Sequence, residues 1–544
     1  MLRVLHVPSF QLSYQQFWSN PQASSEPFVL QLILIMAVGT CFYQDASAAK
    51  SAATLHCEAT HWIYACHRRL AAPVRKKDLD LRRVQSQCLL VIALLTNTNA
   101  VSGDLVGMSV ASLVQSAMAV GLHIAPSQLP INSLEAEIRR RLWATILELV
   151  VQCSLDSGIH PAVSAESLNC EFPSNLDDSQ ISESTEALPT GHPASTFTQC
   201  SMQRALLRSL PIRLRIAEAL SQFQGDALTY EATLRMGAEL TAACRETSKL
   251  IDSFMSRTST GHGARPRAFH IKILDLLARR FLLLLHAQFA HKATSDVAYH
   301  FSRTVCQECS LLLLSPPSSH DGESTRCPLR RNGIGETDMN SDSDYDNADV
   351  ELDSDPDTDA AAATTAAAPW SSLQDYANLQ LLGSGLFKNT SLAASIIVCA
   401  EVLQQQREDS SPVTSSPSLP VRRELLRTLE HTARLTRRRV CAGETSVKAA
   451  AFFTCMRAYI QDGARRSPQQ RAIIVADTIH DALAECCAIL EARLRSPCSS
   501  GILYPNTQGP SRVEVEGHMS DSLSLDCSDT WHASPWEDDA GFLH

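Results

Sequence analysis

The chain has 544 residues, 44% hydrophobic and 19% charged, with 47 basic and 58 acidic side chains and a formal net charge of -11. That length is more than one ordinary domain uses, and the composition excludes a multi-span membrane protein. Taken whole, the negative charge also argues against a nucleic-acid binder, because neutralising phosphates needs clustered Lys and Arg.

From the N-terminus to about residue 320 the sequence is a near-continuous series of amphipathic helical patterns with few strand signals. The apolar stretch Phe28 to Tyr43 is short for a membrane span, contains Gln31 and ends in polar residues, so it reads as a buried helix and not as a signal or anchor. Asp80 to Thr96 carries Leu81, Val84, Cys88, Leu89, Val91, Ile92 and Leu95 at helical spacing. Leu105 to Val120 follows and stops at Gly121, a residue suited to a left-handed C-cap. Asn132 with Glu135 three residues on predicts an N-cap with a carboxylate reaching back. The helix it opens has Leu134, Ile138, Leu142, Ile146, Leu149 and Cys153 on one face. Arg139, Arg140 and Arg141 cannot share a face of that helix, so at least one should lay its stem on the core edge and pair with Glu135 or Glu137.

Residues 321–369 read as a linker. Between Glu336 and Asp359 there are 11 acids and no bases, a run that cannot bury itself and should be solvated and disordered. A second helical block spans 370–497, with helical spacing over Leu392 to Gln406, Val421 to Val440 and Ala472 to Leu494, and Ser/Pro-rich loops at 410–420 and 496–511. The tail 498–544 is expected to be disordered. Its last part, Val513 to His544, holds 8 acids and no Lys or Arg among Leu523, Leu525, Trp531, Trp536, Phe542 and Leu543, and reads as an activation segment whose charges keep apolar anchors exposed for a partner. Without these two segments 39 acids face all 47 bases, a remainder of +8. The acidity is therefore local and no longer excludes nucleic acid as a partner.

The 18 cysteines are dispersed, and most, such as Cys88, Cys153, Cys244, Cys399 and Cys455, sit inside apolar helical patterns as small hydrophobes of a reducing compartment. Cys306 and Cys309 have the spacing of a zinc or redox pair, with Cys327 downstream, but no second pair completes four ligands. His56, Cys57, His61, Cys66 and His67 are denser, yet suit a plain helix with Trp62 and Ile63. Gly383, Ser384 and Gly385 before Lys388 lack the phosphate-loop spacing and read as a turn, and Asp177-Asp178 lacks further carboxylates. No catalytic, cofactor, metal or DNA-reading residue is assigned. Arg75-Lys76-Lys77 and Arg437-Arg438-Arg439 fit short import signals or solvated helix faces.

Gly121-Leu122-His123, Glu137-Ile138-Arg139-Arg140-Arg141-Leu142-Trp143, Asp156-Ser157-Gly158-Ile159-His160-Pro161 and Phe172-Pro173-Ser174-Asn175, in this order, resemble the middle homology region of fungal-specific transcription factors. His6-Val7-Pro8-Ser9-Phe10, Tyr14 and Phe17-Trp18 resemble its entry, and the likeness covers about residues 1–320. Departures are Ala144 in place of an aromatic, Val150 in place of an acid, and Ile159-His160-Pro161 in place of an Arg-Pro pairing. The resemblance implies an all-α regulatory region of a nuclear RNA polymerase II regulator, not an enzyme, of a kind associated with secondary-metabolite gene clusters. It implies DNA and the transcription machinery as partners, no membrane, and a homo- or heterodimer. Family members carry an N-terminal zinc module. Here the first cysteine is Cys41, in a core helix, so this chain is expected to lack that module and its zinc, and to reach DNA as part of a longer protein or through a DNA-bound partner. The rival expectation is an α-helical enzyme or small-molecule binder with a pocket between helices, and convergence of His56, Cys57, His61 and Cys66 within metal-ligand distance would favour the enzyme.

Overall fold

A computed structural model describes residues 1–43, 49–72, 75, 79–97, 103–165, 171–185, 187–221, 228–256, 265–315, 372–409, 419–462 and 466–495. The predicted linker 321–369, tail 498–544, loop 496–511, most of loop 410–420, Lys76, Lys77 and Cys327 lie outside them. Among the described residues there are fifteen α-helices and no strand. They are α1 Val7–Ser19, α2 Glu26–Thr40, α3 Ala49–Ala71, α4 Leu81–Thr96, α5 Gly103–Ala119, α6 Ser133–Ser157, α7 Ser201–Leu220, α8 Tyr230–Ser256, α9 Ala268–Ala290 and α10 His300–Leu314. After residue 371 come α11 Ser372–Leu382, α12 Leu386–Asp409, α13 Leu419–Ala442, α14 Lys448–Asp462 and α15 Pro468–Leu494.

The helix boundaries follow local chemistry. Asp80 caps α4 by accepting from the Arg83 amide at 2.8 Å, and Asn132 caps α6 by accepting from the Glu135 amide at 2.7 Å. The expected reciprocal bond from Glu135 does not form, because its carboxylate instead takes Arg139 Nε at 3.0 Å, one helical turn on. Gly121 ends α5 at φ +78°, with the Leu122 amide donating to the Ala117 carbonyl, and Gly158 ends α6 at φ +65°. α2 is the buried helix expected from its sequence, with Gln31 bonded to the Arg82 carbonyl.

α6 is the axis of the first half. From Arg141 to Cys153 every residue is buried, so it is enclosed by neighbours on all sides and carries polar groups only where they find partners. α4 is covered almost as completely, from Val84 to Leu95. α7 contains Pro211 inside the helix, and in the turn before it the Leu206 carbonyl accepts from both Arg213 Nη2 and Ser209 Oγ, at 2.8 and 3.0 Å.

The second helical block shares one hydrophobic core with the first, running from Val4 and Leu34 through Leu94, Ile146 and Phe281 to Val398, Leu429 and Phe453. α12 packs against α10, and α11 against α9. α12 is long and apolar enough to cross a membrane, but Ala394, Val398 and Val402 are core residues and its Glu401 pairs with Arg303 of α10 at 2.8 Å. The sequence patterns also missed two elements of this block: α11 is short, and the apolar face of α14 is interrupted.

Candidate functional site

The segments that resemble the family region come together in space as a buried polar hub. At its centre Arg141 donates from Nε to Glu137 at 2.8 Å and from Nη1 to Asp178 at 2.5 Å. Arg3, from the N-terminal strand of chain, also donates to Asp178, and the Val7 amide donates to the other Asp178 oxygen at 2.9 Å. His6 Nε2 bonds the Asp178 carbonyl at 2.9 Å, which fixes the start of α1. Burial disfavours the Asp178 charge, yet the Val7 amide and the two guanidiniums outweigh it and hold the carboxyl below its ordinary value. Asp177-Asp178 is thus a structural acceptor, not half of a metal site.

All three successive arginines of α6 are paired: Arg139 with Glu135, Arg140 with Glu171 at 2.7 Å, and Arg141 as above. Glu137 also accepts the Ser174 amide, at 3.0 Å. Next to it Asn175 uses both ends of its amide: Nδ2 donates to the carbonyls of His192, Pro193 and Thr196, and Oδ1 accepts from Thr198 and Ser201. One side chain so fixes the long connection from α6 to α7. Nothing in sequence spacing marks Thr198, Ser201 or Gln203 as members of this hub, because their partners lie 23 to 62 residues away.

A second buried network runs along the same helix. Glu148 receives Arg213 in a two-pronged pair, Gln152 bonds Glu148 and the Leu277 carbonyl, and Arg280 joins Gln152 at 3.1 Å and pairs with Asp156. Burial raises the Asp156 carboxyl above its usual range despite the Arg280 charge and a bond from Asn389 of α12. Here polar groups link α6, α7, α9 and the second block inside the shared core.

The sequence candidates for metal or phosphate chemistry disperse. No group of three or more His, Cys, Asp or Glu able to hold a metal ion occurs among the described residues. His56 Nε2 bonds the Thr40 carbonyl at 2.9 Å and Cys66 is buried in the core. Cys306 and Cys309 are both buried in α10, the former against the Leu283 carbonyl, and burial pushes the Cys309 thiol up to about 12. Gly383-Ser384-Gly385 is a turn whose Ser384 serves the end of α4, and Lys388 pairs with Glu444. Arg437-Arg438-Arg439 is only in part a solvated basic run: Arg437 and Arg438 are exposed, Arg437 pairing with Glu485, whereas Arg439 is buried and donates to Glu444 and to the carbonyls of Gln380 and Gly383. The cleft between α12 and α13 has a cavity of about 20 Å³, and that beside Trp143 and Glu171 about 10 Å³, each room for on the order of one water rather than an organic ligand.

This arrangement is one of polar staples inside a helical core. A family profile described as a fungal specific transcription factor domain matches residues 1–259. Residues 1–259 are a fungal specific transcription factor domain. The domain match ends just after α8, short of the boundary near 320 expected from the sequence, and α9 packs directly on α7 and α8 with α10 packed on α9. The chain is 31% identical over 526 residues to the transcription factor opdR of Penicillium oxalicum, covering 93% of this chain and 59% of that protein. It is 30% identical over 556 residues to the transcription factor lepE of Aspergillus flavus, covering 99% and 59%, and 30% identical over 485 residues to the aspyridones cluster regulator apdR of Emericella nidulans, covering 88% and 58%. The chain therefore spans about three-fifths of the length of the curated relatives it matches. No solved structure matches.

Proposed function

We propose that this chain is the regulatory part of a nuclear transcription regulator of RNA polymerase II genes, acting on a secondary-metabolite cluster and without catalysis of its own. The observation that carries the reading is the transcription factor domain over 1–259 together with about 30% identity, over nearly the whole chain, to proteins named as transcription factors and as a cluster regulator. DNA is reached through a zinc module of a longer protein or through a DNA-bound partner, and the acidic-aromatic segment 513–544 engages the transcription machinery. The chain pairs with itself or with a relative. The rigid, polar-stapled core is suited to holding surfaces in fixed relation rather than to turnover.

The test is to delete the gene in its own host and measure transcripts genome-wide. Loss of expression of a contiguous set of biosynthetic genes, restored by the re-introduced gene, is the expected result. Unchanged transcripts with a missing metabolic conversion would overturn it.

A further inference from the structure

We propose that the arginine-lined outer face of α13 is the docking surface for the acidic-aromatic segment 513–544 of the same chain. α13 carries Arg423, Arg427, Arg434, Arg437 and Arg438, all exposed. At 100° per residue these five fall within about a 100° arc, a continuous stripe about 22 Å long from Arg423 to Arg438. The opposite face, with Leu425, Leu429, Ala433 and Val440, is buried in the core. Two carboxylates soften the stripe: Glu430 lies within it, 3.8 Å from Arg434, and Glu485 of α15 takes Arg437. Among the described residues Arg423, Arg427 and Arg438 have no carboxylate partner. Five guanidiniums against two acids leave the stripe strongly positive on a chain whose net charge is -11.

Charge and tether both select segment 513–544. It holds Glu514, Glu516, Asp521, Asp526, Asp529, Glu537, Asp538 and Asp539 and no Lys or Arg. The last described residue is Arg495, and Arg493 Nη1 donates to the Cys441 carbonyl at 2.5 Å, so the chain leaves α15 beside the Arg437–Arg438 end of the stripe. A random-coil connection of 17 residues, the number from 496 to 512, would span about 20–25 Å, enough to lay the acids along the stripe at an effective concentration of about a millimolar. Trp531 and Trp536 bring faces on which guanidiniums stack, and Leu426 and Leu435 lie half-buried at the two edges of the stripe. Docked, the segment cannot offer its apolar anchors to another protein. That regulatory meaning rests on the function proposed above, whereas the docking itself does not.

The experiment is limited proteolysis of the full chain with a protease that cuts after acidic residues, with the free peptide 513–544 as the control for salt effects on the protease. Cleavage within 513–544 is expected to be at least about fivefold slower at about 50 mM than at about 500 mM salt, because the contact is screened. The combined variant R423Q, R427Q, R434Q and R438Q is expected to cleave fast at both salts while keeping its thermal midpoint. Reversing those arginines to Glu and the tail acids Asp521, Asp526 and Asp529 to Lys together is expected to restore slow cleavage after the retained Glu514, Glu516 and Glu537. Equal cleavage of wild type and the folded Gln variant overturns the proposal. So does binding of mixed-sequence duplex DNA that the variant loses while tail cleavage stays unchanged, which makes the face a nucleic-acid surface. A silent reporter for 513–544 fused to a foreign DNA-binding domain removes the activation reading and leaves the docking result standing.

Discussion

Glu148 of α6 and Arg213 of α7 form a two-pronged ion pair, with Nη1 at 2.6 Å and Nη2 at 2.8 Å from the two carboxylate oxygens, and Arg213 is wholly shielded from solvent. Each nitrogen of that guanidinium has a partner, with Nε on Ser209 and Nη2 also on the Leu206 carbonyl, and its face lies over the Phe281 ring at 5.6 Å. Such a pair specifies geometry more than it stabilises, since desolvating both charges offsets most of their attraction. Removing one partner is a different matter. Glu148→Ala strands a buried guanidinium and is expected to cost about 3–5 kcal/mol, whereas the paired change Glu148→Met with Arg213→Met is expected to cost clearly less. Urea unfolding of the two single variants and the double variant checks this; equal losses in all three would refute it.

Gly237 of α8 exists for His286 of α9. A Cβ at 237 would stand 2.5 Å from His286 Nε2, and the ring cannot retreat because Nδ1 bonds Ser302 Oγ at 2.9 Å. Gly237→Ala is therefore expected to destabilise by about 1–3 kcal/mol, and a smaller residue at 286 should relieve much of it. Thermal unfolding of G237A against G237A combined with His286→Ser provides the comparison.

The same histidine sets a pH response. Burial lowers its pKa from 6.5 to about 4, so the folded chain keeps it neutral where the unfolded chain protonates it. The unfolded state then binds more protons between those values, and stability is full above about pH 6.5 and falls on acidification toward pH 4. His270, also lowered to about 4 by burial and then by neighbouring positive charge, acts in the same direction and window. The contribution of His286 is a few kcal/mol in order of magnitude, at about 1.4 kcal/mol per pKa unit, and that of half-buried His270 is smaller because solvent screens it. Thermal midpoints across pH 4 to 7 are expected to fall less steeply in His286→Asn than in wild type.

Periodicity made the long helices readable. α2, α4, α5, α6, α12, α13 and α15 each lie where their apolar spacing and caps put them, within a few residues at their ends. What periodicity does not hold is the choice of polar partner. Glu135 satisfies the rule for a carboxylate that reaches back to its cap, and Arg139 takes it instead because an ion pair one turn on is the better partner. Likewise Arg439 looks like the last residue of an exposed basic run until α11 and the Gly383 turn close over it. Asp178, Asn175 and Gln203 bond across 17 to 175 residues of sequence, distances over which no local pattern carries information.

Asp178 is the residue on which the N-terminal segment depends. Asp178→Asn loses charge for Arg3 and Arg141 together and should release the Val7 amide, at a cost of about 2–4 kcal/mol concentrated at the start of α1. Since its folded pKa lies below the ordinary value, this contribution is present above about pH 4 and is lost only as pH falls below it. Hydrogen exchange should show residues 3–10 exchanging much faster in the variant, with α9 and α10 unaffected; uniform acceleration would mean that the hub is not local to the N-terminus.

Besides the shared core, one turn ties the second helical block to the end of α4. Ser384 donates from its amide to the Leu95 carbonyl at 2.9 Å and from Oγ to the Leu94 carbonyl at 2.6 Å, satisfying the last carbonyls of α4 from a turn nearly 300 residues away. Gly385 follows at φ +51°, and a Cβ there would stand 2.7 Å from Leu95 Cδ2, so backbone conformation and close approach both demand glycine. Arg439 locks the same turn from the other side through the Gly383 carbonyl at 2.6 Å. Because these contacts and the core are common to both blocks, fluorescence and far-UV circular dichroism are expected to follow one cooperative urea transition in the wild type. Gly385→Val is expected to lower its midpoint by an amount worth about 2–4 kcal/mol and to separate the two probes, since α11 to α15 then lose their seat on α4 before either half melts. Two transitions already present in the wild type would show that the shared core does not couple the blocks.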